Sequence, residues 1–94
     1  MKNKYDINQF VKTLTIESVL GEIVEKVKKK RKKRKFTQQE LAKRSGVNYA
    51  SIRRFETTGE ISFSSLLKIA NALNCLAEFN LLFPSDKITN LKDL

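Results

Sequence analysis

The sequence has 94 residues, enough for one domain but not two. About 40% of them are hydrophobic, which supports a small core, and 19 Lys and Arg against 10 Asp and Glu give a net charge of +9. A balance this basic points to a polyanionic partner, nucleic acid or an anionic membrane surface. There is no histidine, which excludes histidine-based acid–base catalysis, and the single cysteine, Cys75, cannot build a disulfide framework.

Met1 to Phe10 is polar and carries Asp6, so it is not expected to be a secretory signal. No stretch approaches the ~20 apolar residues of a membrane-spanning helix. The expected setting is the reducing cytoplasm, with Cys75 a buried small hydrophobe. Residues 1–15 read as an extension with a short helix, Ile7 to Leu14, whose Ile7, Phe10, Val11 and Leu14 share one face.

A longer helix is predicted from Ile16 to about Lys33, with Thr15 as its N-cap and Leu20, Ile23, Val24 and Val27 inward. Arg31 continues that apolar face in phase, and an inward arginine needs an acid. From Lys26 to Lys35 nine of ten residues are basic. Like charges four apart repel, and placement at the helix C-terminus offsets part of that through the macrodipole. The run abuts the motif below, so Lys33, Arg34 and Lys35 are candidates for positioning phosphates.

Thr37-Gln38-Gln39-Glu40 is a capping box that opens a helix to about Arg44 with Leu41 and Ala42 inward. Gly46 supplies the left-handed exit, and Asn48 caps a second short helix through Glu56. Ser62 caps another, Phe63 to about Leu73, with Phe63, Leu66, Leu67, Ile69, Ala70 and Leu73 as core candidates. Ala77, Phe79, Leu81 and Phe83 then alternate with Leu76, Glu78, Asn80 and Leu82 up to Pro84, a pattern that predicts a strand. A lone strand does not persist unpaired, so its expected partner is the same strand of a second subunit. Residues 85–94 read as a loose tail.

Two short helices joined by a turn of three or four residues with one glycine make a helix-turn-helix. Phased at ~100° per residue, Ile52 and Phe55 of the second helix face inward. Ala50, Arg53 and Arg54 face outward, with Tyr49 at the rim of that face. Arginine can clasp guanine O6 and N7 with two hydrogen bonds, and alanine lets a helix approach the bases closely. Asn48 and Ser51 lie at the helix start, where N–H groups and short polar side chains suit a phosphate.

The run Phe36-Thr37-Gln38-Gln39-Glu40-Leu41-Ala42-Lys43-Arg44-Ser45-Gly46-Val47, then Ile52 and Phe55-Glu56, then Ser65-Leu66-Leu67-Lys68-Ile69-Ala70-Asn71-Ala72-Leu73, resembles the lambda-repressor/Cro-like helix-turn-helix family over about Leu20 to Leu73. The resemblance implies a mainly α, compact bundle of four or five helices that dimerises on a palindromic operator. By position it assigns base reading to Tyr49, Ala50, Arg53 and Arg54, and a phosphate or base contact to Gln38. It also implies that Glu56 is the acid paired with Arg31. The strand after these helices is similar to that of antitoxin subunits in kinase-type toxin–antitoxin pairs, the HipB type.

Three functions are therefore in view. The first is a sequence-specific transcriptional repressor that binds double-stranded DNA as a homodimer. The second is an antitoxin that also holds a toxin protein. The third is a non-specific polyanion binder that uses the basic run alone. An enzyme is not expected: the acids are scattered and no metal cluster or nucleophile setting exists, so no cofactor is implied.

Overall fold

A computed structural model describes residues 14–85. The short helix expected over Ile7–Leu14 and the tail beyond Ser85 lie outside the described residues, apart from Leu14 and Ser85 themselves. Four α-helices follow in order: α1 Ile16–Lys33, α2 Gln38–Ser45, α3 Tyr49–Thr58 and α4 Phe63–Ala72. A 3-10 helix, Leu76–Leu81, completes the described chain.

Each α-helix begins where a short polar side chain can replace a missing backbone partner. Thr15 Oγ1 accepts from the Ser18 N–H at 3.0 Å, and Ser18 Oγ accepts from the Thr15 N–H at 3.0 Å. At α2, Thr37 Oγ1 accepts from the Glu40 N–H at 2.9 Å and Glu40 Oε1 accepts from the Thr37 N–H at 3.1 Å, a reciprocal capping box. Asn48 Oδ1 and Ser62 Oγ cap α3 and α4 in the same way, from Ser51 and Ser65.

α2 sits centrally and packs on both α3 and α4, while α1 packs on α3. Val24 and Val27 from α1, Leu41 from α2, Ile52 and Phe55 from α3, and Ile69, Ala70 and Leu73 at α4 form one core, with Val47 and Cys75. Leu41, Ile52 and Ile69 are fully buried. Two expected core residues sit further out. Leu20 is 39% exposed, and Phe63 is 60% exposed, its ring edge-on to Phe79 with centroids 6.3 Å apart. Phe63 opens α4 one residue after the cap, so it lies at the bundle's edge.

Among the described residues of the single chain there is no strand, and the segment expected to be one is the 3-10 helix Leu76–Leu81. After α4, Asn74 takes a left-handed φ of 62°, and the Cys75 N–H returns to Ala70 O at 2.9 Å. Beyond that turn the chain winds, with the Glu78 N–H donating to Cys75 O at 3.1 Å. Among the described residues there is no strand to pair with, and a 3-10 turn satisfies the backbone groups locally where a lone strand leaves them bare. The alternation of apolar residues is therefore not a buried face. Phe79 packs against the core, whereas Ala77, Leu81 and Phe83 are exposed.

One polar cluster ties α1, α2 and α3 together. Arg31, near the end of α1, donates from Nε to Glu56 Oε2 at 2.7 Å and from Nη2 to Glu56 Oε1 at 3.0 Å. Its Nη1 donates to Phe36 O at 2.8 Å, in the connection to α2. Gln38, first residue of α2, donates from Nε2 to Glu56 Oε1 at 2.8 Å. Arg31 and Glu56 are 8% and 9% exposed. Desolvation pushes the Glu56 pKa upward, but the hydrogen bonds from Arg31 and Gln38 and the charges of Arg31 and Lys28 outweigh it. The carboxyl is held below the ordinary glutamate value.

Two outcomes follow from this packing. Because the Glu56 pKa is lowered on folding, its contribution to stability is complete above the ordinary glutamate pKa of about 4.3 and is lost as pH falls below it through the lowered value. Glu56→Gln should flatten that part of an acid titration followed by circular dichroism. Arg31→Ala strands a buried carboxylate and should lower unfolding free energy by about 3 kcal/mol, while Arg31→Met with Glu56→Leu should cost less than either single change. If Arg31→Ala leaves urea unfolding unmoved, the cluster is not structural.

The two helix exits give a second, graded outcome. Gly46 and Gly59 both adopt left-handed backbone, φ 81° and 84°. A Cβ at Gly46 would meet nothing within 4 Å, whereas one at Gly59 would stand 2.7 Å from Leu20 Cγ. Gly46→Ala should therefore cost about 1 kcal/mol from backbone strain alone, and Gly59→Ala about 2 kcal/mol or more, measured by urea unfolding.

Candidate nucleic-acid interface

The cluster just described fixes α3 by one side, and this determines which side is left for a partner. Ile52, Phe55 and Glu56 are buried, so the wheel of a ten-residue helix turns Ala50, Arg53 and Arg54 outward. All three are exposed, and Tyr49 is 39% exposed at the edge of the same face. The Arg53 guanidinium carbon lies 5.5 Å from the centroid of the Tyr49 ring, within cation–π range. Tyr49 thus steers Arg53 along the outer surface of the helix.

Arg54 has an acidic neighbour that sequence reasoning missed. Its Nη2 is hydrogen-bonded to Glu60 Oε1, and both side chains are largely exposed. No helical period connects residues 54 and 60, because the chain reverses at Gly59 between them. An exposed pair of this kind adds little stability, about 0–1 kcal/mol, so its consequence is orientation. Thr58 supports the loop: its Oγ1 donates to Arg54 O at 2.8 Å and accepts from the Glu60 N–H at 3.1 Å.

The residues proposed for phosphate contact divide into two groups. Asn48 is exposed and its carbonyl oxygen is occupied by the α3 cap, while Ser51 is half-buried one turn on. Gln38 is half-buried and its amide nitrogen donates one hydrogen bond to Glu56, a bond to the scaffold that its place in the capping box did not reveal. Lys33, Arg34 and Lys35 are all exposed where α1 ends. Lys35 takes a left-handed φ of 61° to turn the chain into α2 without a glycine. Arg34 lies 6.0 Å and Arg44 lies 4.4 Å from the centroid of the half-buried Phe36 ring, so the cationic surface continues from the end of α1 onto α2.

Arginines presented on a rigid helix, flanked by lysines at helix ends, can hydrogen-bond base edges and neutralise phosphates. Nothing in the arrangement favours covalent chemistry. Among the described residues no three His, Cys, Asp or Glu side chains gather as metal ligands. Cys75 is buried, and desolvation pushes its thiol pKa up, which is the wrong direction for a nucleophile. Among the described residues no helix is long and apolar enough to cross a membrane.

Comparison with known proteins agrees with this geometry. A family model described as helix-turn-helix matches residues 27–79, more than half of the chain. Comparisons with curated proteins and with solved structures gave no match. The matched span begins at Val27 in α1, takes in α2, α3 and α4, and ends at Phe79 in the 3-10 helix. The chain belongs to the helix-turn-helix family of the lambda-repressor type, whose members are DNA-binding transcription regulators.

Proposed function

We propose that this protein is a sequence-specific transcriptional repressor that inserts α3 in the major groove and binds a palindromic operator as a homodimer. The observation that carries the reading is the outer face of α3. Arg53 and Arg54 project from it, Ala50 leaves room for close approach, and the buried Ile52, Phe55 and Glu56 prevent the helix from rotating. Arg53 and Arg54 each clasp a guanine edge, Ala50 meets a thymine methyl, and Tyr49 holds the Arg53 side chain to the groove. Asn48 and Ser51 lie at the positive end of α3, and Lys33, Arg34 and Lys35 extend the contact to the backbone of the duplex.

A single α3 reads too few base pairs to select one site in a genome, which is why two copies are proposed. Contact between them does not need a strand ladder. Leu81 and Phe83, exposed at 74% and 92%, offer apolar surface for it. Repression follows from occupancy: a dimer seated on a promoter excludes the polymerase.

Selection of bound fragments from random DNA tests the proposal directly. The expected product is an inverted repeat with half-sites about 34 Å, one helical turn, apart. Arg53→Ala or Arg54→Ala should relax preference at one base pair per half-site by ~1–3 kcal/mol. Glu60→Gln should raise affinity for all sequences while weakening discrimination at the Arg54 base pair. Lys33→Gln, Arg34→Gln and Lys35→Gln should weaken all sequences alike, each lowering the salt slope by about 1. Binding that ignored sequence and survived loss of both arginines would refute base reading and favour a non-specific polyanion binder. A monomer by sedimentation on and off DNA would refute the homodimer.

A further inference from the structure

The basic run of α1 is longer than the interface above requires. Lys26, Lys29, Lys30 and Lys33 fall at i, i+3, i+4 and i+7, so they form one ridge of about two helical turns, ~10 Å. That ridge borders a groove between α1 and the 3-10 helix, with a volume of about 1000 Å³. All four lysines line the groove. Its floor is apolar: Ile23 and Val27 from α1, then Cys75, Phe79 and Leu82.

Glu78 shows how the ridge receives an acid. Projecting from the opposite wall, its Oε2 stands 3.4 Å from Lys30 Nζ, with the Lys30 side chain half-buried and that of Glu78 exposed. It is the only acidic residue among the described residues that line the groove, against five lysines, Lys32 included. The groove thus combines surplus positive charge with an apolar floor. DNA would satisfy the charge and leave the floor uncovered. A bilayer would satisfy both chemistries but is too flat to fill a concavity. A helix with one apolar and one acidic face meets all three conditions.

We propose that this groove docks an acidic amphipathic helix from a partner protein. The apolar face of that helix rests on Phe79 and Leu82, and its Asp and Glu side chains line up with the ridge at the same i, i+3, i+4 and i+7 spacing. This docking surface lies apart from the outer face of α3, and the inference does not depend on the DNA reading.

The test uses the full chain and a fluorescein-labelled synthetic helix of about four turns, with Leu at i, i+3, i+4 and i+7 and Glu elsewhere. One control peptide carries Gln for each Glu and another Ser for each Leu. The protein variants are Leu82→Asp, the pair Lys26→Glu with Lys29→Glu, and Lys68→Glu, an exposed lysine of α4 outside the groove. Each is first shown to keep its helical circular dichroism. Anisotropy should give saturable binding of the acidic amphipathic peptide. That binding should weaken by about tenfold or more for both control peptides, for Leu82→Asp and for the paired reversal, and be unchanged in Lys68→Glu. Absence of saturable binding overturns the proposal. So does equal loss in Lys68→Glu, which would mean general attraction to a cationic protein. Displacement of the peptide by phosphatidylserine vesicles, with the same dependence on Leu82, would assign the groove to a membrane surface and overturn it too.

Discussion

Arg31 reaches from the last turns of α1 to a carboxylate in α3 and a carbonyl in the connection to α2. Three chain segments are thereby fixed by one guanidinium, and Gln38 closes the cluster from α2. A planar group with five donors in fixed directions suits this task; a lysine would supply charge but not the fork. The pair is nearly buried, so each partner needs the other: an unpaired charge there would cost far more than the pair contributes over a well-packed apolar substitute. Its value is therefore positional. It sets the rotation of α3 about its own axis, which the greasy contacts of Ile52 and Phe55 alone would specify less sharply.

Everything on the outer face of α3 inherits that rotation. With Glu56 drawn inward, Arg53 and Arg54 are directed away from the core, and each has a neighbour that restrains it, Tyr49 in one case and Glu60 in the other. The restraints differ in kind. An aromatic ring leaves the guanidinium's donors available at its rim. A carboxylate occupies a donor at Nη2 and must be exchanged for another acceptor there. The two arginines are thus unequal although adjacent, and the difference arises from a turn at Gly59 rather than from the helix that carries them.

The basic run also divides in three dimensions. Arg31 turns inward, Lys33, Arg34 and Lys35 mark the end of α1 next to α2, and the ridge from Lys26 to Lys33 borders the groove against the 3-10 helix. A stretch that reads as uniform charge along the chain thus faces three environments, because a helix distributes consecutive residues around its axis at ~100° steps. Lys33 belongs to two of them, at the point where ridge and helix end meet.

Much of this was legible in the residues. The four N-caps, the left-handed Gly46, the extents of α1 to α4 to within two residues and the inward phase of Arg31 all follow from local chemistry, and short-range rules suffice for them. The identity of Arg31's partner needed a family resemblance, because residues 31 and 56 are brought together by folding alone. The Gln38–Glu56 bond, the Arg54–Glu60 pair and the groove beside Phe79 were invisible for the same reason: each joins segments across a turn or between helices. The C-terminal segment shows the limit most clearly. Alternating apolar residues specify a strand only when another strand supplies the ladder. In the described chain none does, and the same residues wind into a 3-10 helix that satisfies its own backbone and turns Phe79 toward the core. Sequence determined the helices, whose hydrogen bonds are local; only tertiary structure decided the pairings, whose partners are not.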